Sequence, residues 1–488
     1  MNQRSGFIFS TLFLFHFLNA ESQETLPKLL EKDIPQTHTE MWKGFDPRIE
    51  PLESEILKEW MEDGVILRVL RYRIGIFKGQ KAWMAGVYGF PKGENNIPGL
   101  LQIHGGGQYA DYKAPLSNAK RGYATLSIAW AGRISAPSYR VSPNEVKLFW
   151  EDRKNDPKYK ITTDWGALDA YHAPSRYGRD AFPSIPVENW TIDSVESPRN
   201  NSWFLIALAA RRGLTFLERQ PEVDSGKLGV YGHSMGGKLT VLTAGSDKRV
   251  RVAAPSCGGM SDRYSTNPLH LATVSDPPSL KEISCPIAFL SPSNDFHGRI
   301  NDLPATVSEI QSEDWRISCS PHHNHQDTPE YEVITQLWMD QHLKNSFAFP
   351  QTPKIDLKLV PGKQPKVILQ FDESKMLSVD VYYTQQGQID GKKDNSTNTK
   401  NRFWHHANAT KYNNRQWTAQ MPIFSINAPL WVYANVTYKL DKSVSGAGYY
   451  YGEYSADRFV LSSLIKTAKP SDLKIIRCCR ILKTANLD

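Results

Sequence analysis

Two different hydrophobic patterns divide the chain at about residue 350. Between residues 65 and 345, short apolar runs of strand length alternate with stretches in which apolar residues recur at helical spacing. The predicted strands are 65–73, 82–90, 99–104, 124–130, 228–231, 250–254, 286–290 and 315–319, and the predicted helices are 203–218, 238–244, 305–313 and 330–344. Because strands that alternate with helices are typical of a parallel sheet with right-handed crossovers, we expect an α/β fold over residues 21–348.

Beyond residue 350, apolar and polar residues alternate with period two, and no helical pattern intervenes. The runs are 355–360, 367–371, 377–383, 417–421 and 430–438, and polar turns separate them. This pattern predicts an antiparallel β-sandwich domain over residues 349–466, followed by a basic tail at 467–488. Within the first domain, residues from about 132 to 200 are rich in proline, aspartate, tyrosine and tryptophan, which predicts an inserted cap or long surface loops.

The first twenty residues have the pattern of a secretory signal peptide. Arg4 precedes a short, phenylalanine-rich apolar run at 7–18, and Leu18-Asn19-Ala20 offers a cleavage site. The run is too short to cross a bilayer comfortably, and no later segment approaches that length. We therefore expect an exported protein, secreted or periplasmic, without stable membrane insertion.

The composition of the chain excludes some classes of function and favours others. The 488 residues carry a net charge of +7, and the lysines and arginines are scattered rather than clustered, so we expect no nucleic-acid partner. The five cysteines are few for an exported chain, and their odd number argues against a disulfide framework. The 13 tryptophans and 21 tyrosines suit a protein that handles sugars, and equally a β-rich core. The oligomeric state stays open.

One segment carries most of the chemical information. An apolar run leads into Gly232-His233-Ser234-Met235-Gly236, and helix-compatible residues follow. A strand, a sharp turn and a helix around a G-x-S-x-G motif are typical of a nucleophile elbow, in which the glycines relieve crowding across a strained turn. We therefore predict Ser234 as a nucleophile.

A serine nucleophile needs a base and a group that orients the base. In this kind of fold the acid and then the histidine follow the serine along the chain. Asp295 follows the strand at 286–290 and is the predicted acid, with Asp302 and Asp262 as alternatives. His325 lies in a histidine-rich turn after the last strand and is the predicted base, with His322 and His323 beside it. Such a turn could bind a metal, but no carboxylate or cysteine stands at ligand spacing, so we expect neither a metal nor a cofactor.

An oxyanion hole requires backbone N–H groups aimed at one point. Met235, directly after the serine, is one predicted donor. The His104-Gly105-Gly106-Gly107 turn after the third strand is predicted to supply the other through Gly105 and Gly106, because backbone without side chains can approach a substrate closely. His104 is a candidate for substrate contact and equally for a structural role.

Together Ser234, Asp295, His325 and the turn at 104–107 resemble the α/β-hydrolase superfamily over residues 60–345. Within it, the chain looks most like the secreted dienelactone hydrolase-like and acetyl xylan esterase-like enzymes. The resemblance implies a mostly parallel sheet flanked by helices. It also implies a serine esterase that acts through an acyl-enzyme on a small-molecule or polysaccharide ester, such as a carbohydrate acetate.

Two alternatives on the same triad are a peptidase and a glucuronoyl esterase. Glucuronoyl esterases have a substrate-binding lysine four residues after the nucleophile, where this chain has Lys238, but they follow the serine with arginine rather than Met235. An ordinary helix lysine is the competing interpretation of Lys238. From another class, the chain could be a polysaccharide-binding protein with a vestigial hydrolase domain.

Overall fold

The computed structural model describes residues 24–164, 187–189, 191–390, 393–414, 416–449 and 452–476. The predicted signal peptide at 1–20, the middle of the predicted insertion and residues 477–488 of the predicted tail lie outside the described residues. Within the described ranges, no helix has the length and apolar character required to cross a membrane.

A large twisted sheet forms the N-terminal part of the molecule. Its strands and two short ones beside it are β1 (Glu55–Glu62), β2 (Val65–Phe77), β3 (Gln80–Pro91), β4 (Ile97–Ile103), β5 (Ala110–Asp111), β6 (Ala124–Ile128), β7 (Ile134–Ser135), β8 (Val223–His233), β9 (Val250–Ser256), β10 (Ile287–Leu290) and β11 (Trp315–Ser318). Their order is β1-β2-β3-β6-β4-β8-β9-β10-β11, while β5 pairs with β7. In this spatial order, the six strands β6, β4, β8, β9, β10 and β11 run parallel to one another. Strands β1, β2 and β3 pair antiparallel with their neighbours. This is the predicted α/β-hydrolase sheet, with β1 as an additional edge strand.

Helices cover both faces of this sheet. They are α1 (His38–Met41), α2 (Lys113–Lys120), α3 (Pro143–Trp150), α4 (Ser202–Glu218), α5 (Met235–Ser246), α6 (Pro268–Ala272), α7 (Asp276–Leu280), α8 (Leu303–Glu309), α9 (Pro329–Glu332) and α10 (Ile334–Met339), which continues as a π-helical turn over Asp340–Lys344. Adjacent strand residues point to opposite faces. Accordingly Leu101 and Val230 belong to the core shared with α4 and α5, whereas Leu100 and Tyr231 belong to the core shared with α10. The central strands are therefore buried on both sides, which is why they are almost continuously apolar.

The C-terminal part consists of two antiparallel sheets, as the period-two pattern predicts. The strands are β12 (Lys354–Lys358), β13 (Lys366–Gln370), β14 (Met376–Thr384), β15 (His405–Asn408), β16 (Thr410–Asn413), β17 (Gln416–Gln420), β18 (Leu430–Gly448), β19 (Gly452–Ser462) and β20 (Lys466–Ala468), with helices α11 (Ser396–Lys400) and α12 (Pro470–Leu473). One sheet has the order β12-β13-β17-β16, and the other has β15-β14-β18-β19 with β20 on β18. Val367 and Leu369 from the first sheet share a core with Val381 and Val432 from the second. We call residues 354–476 the C-terminal unit.

The C-terminal unit also packs directly against the large sheet. At the end of β11, the Ser318 hydroxyl donates to the Val460 carbonyl (2.9 Å), and the Cys319 N–H donates to the Ser462 hydroxyl (2.7 Å). Asn435 Nδ2 donates to the Cys319 carbonyl (3.0 Å). The last strand of the large sheet and the loop after it are therefore held by the second half of the chain.

Several local predictions differ from the structure. The helix predicted at 305–313 ends at Glu309, and strands β1, β15, β16, β19 and β20 are not predicted. Helix α2 is not predicted, because its sequence contains a proline and few apolar residues. The helix predicted at 330–344 is divided into α9, α10 and the π-helical turn. The tail predicted from residue 467 begins with the end of β20 and with α12, and Leu473 and Ile476 are buried in the core of the C-terminal unit.

Candidate active site

Ser234 occupies the sharp turn between β8 and α5. Its backbone has φ 57° and ψ −118°, a conformation that L-residues rarely adopt, so the turn is strained. A side chain at Gly232 or Gly236 would collide with the Ile103 carbonyl on neighbouring β4. Both glycines of the motif are therefore required by packing, and the geometry is that of a nucleophile elbow.

The structure brings the three residues predicted as a triad together. His325 Nε2 lies 2.7 Å from Ser234 Oγ, and His325 Nδ1 lies 2.9 Å from Asp295 Oδ1. With the Nδ1–H donated to Asp295, the Nε2 lone pair accepts from the serine hydroxyl. Ser234 and His325 are partly exposed and Asp295 is buried, so the chain of hydrogen bonds runs from solvent into the protein.

Asp295 is held as a carboxylate. Burial would raise the pKa of Asp295, but the neighbouring His325 ring and the hydrogen bond from the His297 N–H (2.8 Å) keep the pKa below its usual range. An ionised Asp295 stabilises the imidazolium that forms when His325 takes a proton. The electrostatics therefore match the role of an orienting acid.

The two alternative acids lie elsewhere. Asp302 accepts hydrogen bonds from Tyr264 (2.6 Å) and Arg299 (2.9 Å), and Asp262 forms an ion pair with Lys238. Neither carboxylate bonds to His325. Of the neighbouring histidines, His322 contacts the Phe403 ring, with ring centroids 5.1 Å apart.

Lys238 is buried and fully engaged within the protein. Its Nζ donates to Asp262 Oδ2 (2.6 Å), to Asp276 Oδ1 (2.9 Å) and to the Val274 carbonyl (3.0 Å), and only 1% of the residue surface is exposed. An ammonium group has three N–H donors, and all three are used here. The structure therefore does not bring Lys238 to a substrate, which favours the interpretation of Lys238 as a structural residue.

In the turn at 104–107, one of the two predicted oxyanion donors is already engaged. The Gly105 N–H donates to Gln108 Oε1 (2.7 Å), so it is not free for a substrate oxygen. Among the described residues no acceptor is found for the Gly106 N–H, and Met235 begins helix α5, where the first N–H groups have no intrahelical partner. Gly106 and Met235 are thus the donors that stay available. His104 is buried, and its ring stacks on Trp130 with centroids 5.1 Å apart.

One group of side chains within the described residues has the donor set for a metal ion. Cys257, Asp295 and His325 offer ligand atoms that all lie within 4.8 Å of one another. Burial raises the pKa of the Cys257 thiol well above its usual value, which disfavours the thiolate that a metal requires. His325 is also bonded to Ser234, so the arrangement suits a serine nucleophile better than a metal.

The C-terminal unit contacts two loops of the candidate site, the one that carries Asp295 and the one that follows His104. Next to Asp295, Asn294 Oδ1 accepts from Trp404 Nε1 (2.8 Å) and Asn294 Nδ2 donates to the Arg402 carbonyl (2.7 Å). Gln108 Nε2 donates to the Tyr449 carbonyl (3.3 Å), and the Tyr449 ring stacks on His233 with centroids 4.7 Å apart. The sequence does not reveal these contacts, because they join residues more than 100 positions apart.

One family model matches the middle of the chain. Residues 173–326 match the dienelactone hydrolase family. The matched range contains Ser234, Asp295 and His325, which agrees with the resemblance inferred from their motifs. No curated protein matches the chain significantly in sequence.

Solved structures with a similar fold include several esterases. Acetyl xylan esterase from Paenibacillus sp. R4 is 18% identical, with a TM-score of 0.43 over 61% of this chain and 91% of that one. Acetyl xylan esterase 1 from Thermoanaerobacterium sp. JW/SL YS485 is 16% identical, with a TM-score of 0.44 over 64% and 98%. A cold-adapted esterase from an Arctic intertidal metagenomic library is 18% identical, with a TM-score of 0.39 over 59% and 98%. The fold assignment itself rests on the strand order and the elbow.

Proposed function

We propose that this protein is a serine-dependent carboxylic ester hydrolase. The observation that supports it best is the continuous hydrogen-bond chain from Ser234 through His325 to the buried Asp295. The strained elbow and the available N–H groups of Gly106 and Met235 supply the other parts that such a reaction needs.

In this proposal Ser234 Oγ attacks the ester carbonyl carbon while His325 Nε2 takes the hydroxyl proton. The Gly106 and Met235 N–H groups donate to the oxyanion of the tetrahedral intermediate. His325 then returns the proton to the departing alcohol, which leaves an acyl group on Ser234. A water molecule, deprotonated by His325, releases the acid and restores the serine.

For the substrate we propose an ester on a carbohydrate, with acetyl as the first acyl group to test. The resemblance to acetyl xylan esterase-like enzymes and the predicted export of the chain support this choice. A glucuronoyl ester is less well supported, because every donor of Lys238 is taken. Export would be supported by a secreted product whose N-terminus follows Ala20.

The test is a panel of acetyl, feruloyl, methyl-glucuronoyl and peptide substrates on the purified mature protein. Ser234→Ala should lower kcat by at least ~10³-fold, and mass spectrometry of quenched wild-type enzyme should find the acyl group on Ser234. Ser246→Ala, at the far end of the same helix, is the matched control and should retain kcat. Equal turnover by wild type and Ser234→Ala would refute the serine mechanism, and no turnover of any ester would favour a vestigial domain.

A further inference from the structure

One exposed phenylalanine lies beside His325, and two more lie on the C-terminal unit. Among the phenylalanines in the described ranges, Phe296, Phe403 and Phe424 are the ones with more than 40% of their surface exposed, at 42%, 54% and 43%. Phe296 follows Asp295 by one residue, and the other two belong to the C-terminal unit. The exposed part of an apolar ring contributes no burial energy to folding, so a group of such rings points to an interaction site.

These rings contact three imidazoles in two groups, and one depression joins the two groups. The Phe296 ring lies 4.7 Å from the His325 ring between centroids. His325 and His322 line one open depression of about 480 Å³. From His322 the second group continues to Phe403 (5.1 Å), His405 (4.9 Å) and Phe424 (4.9 Å). We call Phe296, His322, Phe403, His405 and Phe424 the aromatic track.

The two distal phenylalanines are held in position by consecutive glutamines. Gln386 Oε1 accepts from the Phe403 N–H (2.6 Å), and Gln385 Oε1 accepts from the Phe424 N–H (2.6 Å). Gln385 Nε2 also donates to the Ser425 carbonyl (2.5 Å). Because the backbone at each ring is anchored, the rings are presented to solvent at defined positions rather than on unsupported loops.

The track is aromatic and uncharged. Partial burial lowers the pKa of both His322 and His405, which favours the neutral imidazole at both positions. The track itself contains no lysine, arginine, aspartate or glutamate. Its chemistry therefore combines apolar ring faces with neutral nitrogen donors and acceptors, which complements a sugar's C–H face and hydroxyl edge.

We propose that the aromatic track binds the chain of a neutral polysaccharide and delivers its ester groups to Ser234. This inference rests on the proposed function, because it names the substrate of that same site. Continuity with the depression at His325 favours a polymer that extends from the catalytic residues across the C-terminal unit. The C-terminal unit thereby becomes part of the substrate-binding surface rather than a separate anchoring module.

The test compares a polymer with a small ester. Activity is measured on acetylated xylan and on p-nitrophenyl acetate, for wild type and for the double variant Phe403→Ala/Phe424→Ala. The polymer to small-ester ratio of kcat/KM should fall about thirtyfold, which corresponds to about 2 kcal/mol for two aromatic contacts of about 1 kcal/mol each. Tyr412→Ala is the matched control, because Tyr412 is a 57% exposed ring of the same unit outside the track, and its ratio should equal that of wild type. Phe403→Trp keeps a ring and should keep the ratio.

Retardation in a gel that contains unacetylated xylan separates this inference from the proposed function. Ser234→Ala protein should be retarded, and adding the two alanine substitutions should abolish the retardation while adding Tyr412→Ala should not. This outcome supports the track even if wild type hydrolyses no ester. Equal retardation of all three proteins would overturn it, and so would an unchanged activity ratio in the double variant. A loss confined to long-chain acyl substrates would also overturn it, in favour of a lipid surface.

Discussion

Replacing Lys238 by methionine separates its two interpretations. The substitution keeps most of the side-chain volume and removes the ammonium that neutralises Asp262 and Asp276. Only 1% of the Asp276 side chain is exposed, so its carboxylate would be left buried without a cation. Breaking a buried ion pair by removing one partner costs about 3–5 kcal/mol, a large part of the ~5–15 kcal/mol that holds a typical domain together.

The pH for the measurement follows from the pKa shifts of Lys238 and Asp262. Burial would lower the pKa of Lys238, but the two aspartates raise it above its usual 10.5, so this contribution is complete below that pH and is lost as the pH rises further. Burial would raise the pKa of Asp262, but Lys238 lowers it below its usual 3.8, so this contribution is complete above that pH and is lost as the pH falls. At pH 7 the full stabilisation is present.

The assay is urea unfolding followed by tryptophan fluorescence, since Trp203 lies 5.2 Å from Nζ between ring centroid and nitrogen. Lys238→Met should lower the free energy of unfolding by about 3–5 kcal/mol. Lys227→Met is the matched control. It breaks a pair with Asp224 in which the lysine is 45% exposed, and it should cost less than about 1 kcal/mol. Adding Asp276→Asn to Lys238→Met should restore part of the loss.

A Lys238→Met variant with wild-type stability and a raised KM would refute this reasoning. That result would assign Lys238 to substrate binding, as in the glucuronoyl esterase alternative.

Three further predictions concern the loops that carry Asp295 and His325. Asp295→Asn should lower kcat by roughly 10⁴-fold with little change in KM, because the wrong imidazole tautomer is then favoured; a loss below tenfold in steady-state kinetics would contradict this role. Trp404→Phe removes the donor to Asn294 and should lower kcat about tenfold by displacing the acid loop, whereas Trp417→Phe, which removes an exposed indole donor of the same unit, should not; equal kcat values would show that this tie is dispensable. Burial raises the pKa of Asp327 from 3.8 to about 7, so its contribution to stability is present below pH 3.8 and is lost as the pH rises through 7. Asp327→Asn should therefore unfold at a higher urea concentration than wild type at pH 8 but not at pH 4. The gain in the free energy of unfolding should be about 1.4 kcal/mol for each unit by which folding raises the pKa of Asp327. The same difference between the two proteins at both pH values would contradict the assignment.

The elbow, the acid and the histidine could all be located from the sequence because their signals are local. The motif Gly232-x-Ser234-x-Gly236 after a strand predicts a sharp turn by itself. In a sheet, the neighbouring strand leaves no room for a side chain at either glycine position, as β4 does here. Asp295 and His325 each follow an apolar strand at the edge where parallel strands end. Chain order and strand ends were therefore enough to predict three groups that meet within hydrogen-bond distance.

The sequence could not show which hydrogen-bond donors stay available for a substrate. The sequence contains both Gly105 and Gly106, and only the position of the Gln108 side chain decides that Gly105 is occupied. Lys238 stands four residues after the serine in either interpretation, and the folded chain surrounds it with two carboxylates.

Local patterns thus determined the class of fold, the elbow and the order of the triad, because periodicity and turn sterics act over a few residues. Tertiary packing decided which hydrogen-bond donors are engaged, how Trp404 and Tyr449 reach the catalytic loops, and which rings stay exposed beside His325. The partners in these contacts lie from three residues apart, for Gly105 and Gln108, to more than 100 apart, for Trp404 and Tyr449. The spacing of residues along one segment does not encode where a side chain or a distant segment will pack.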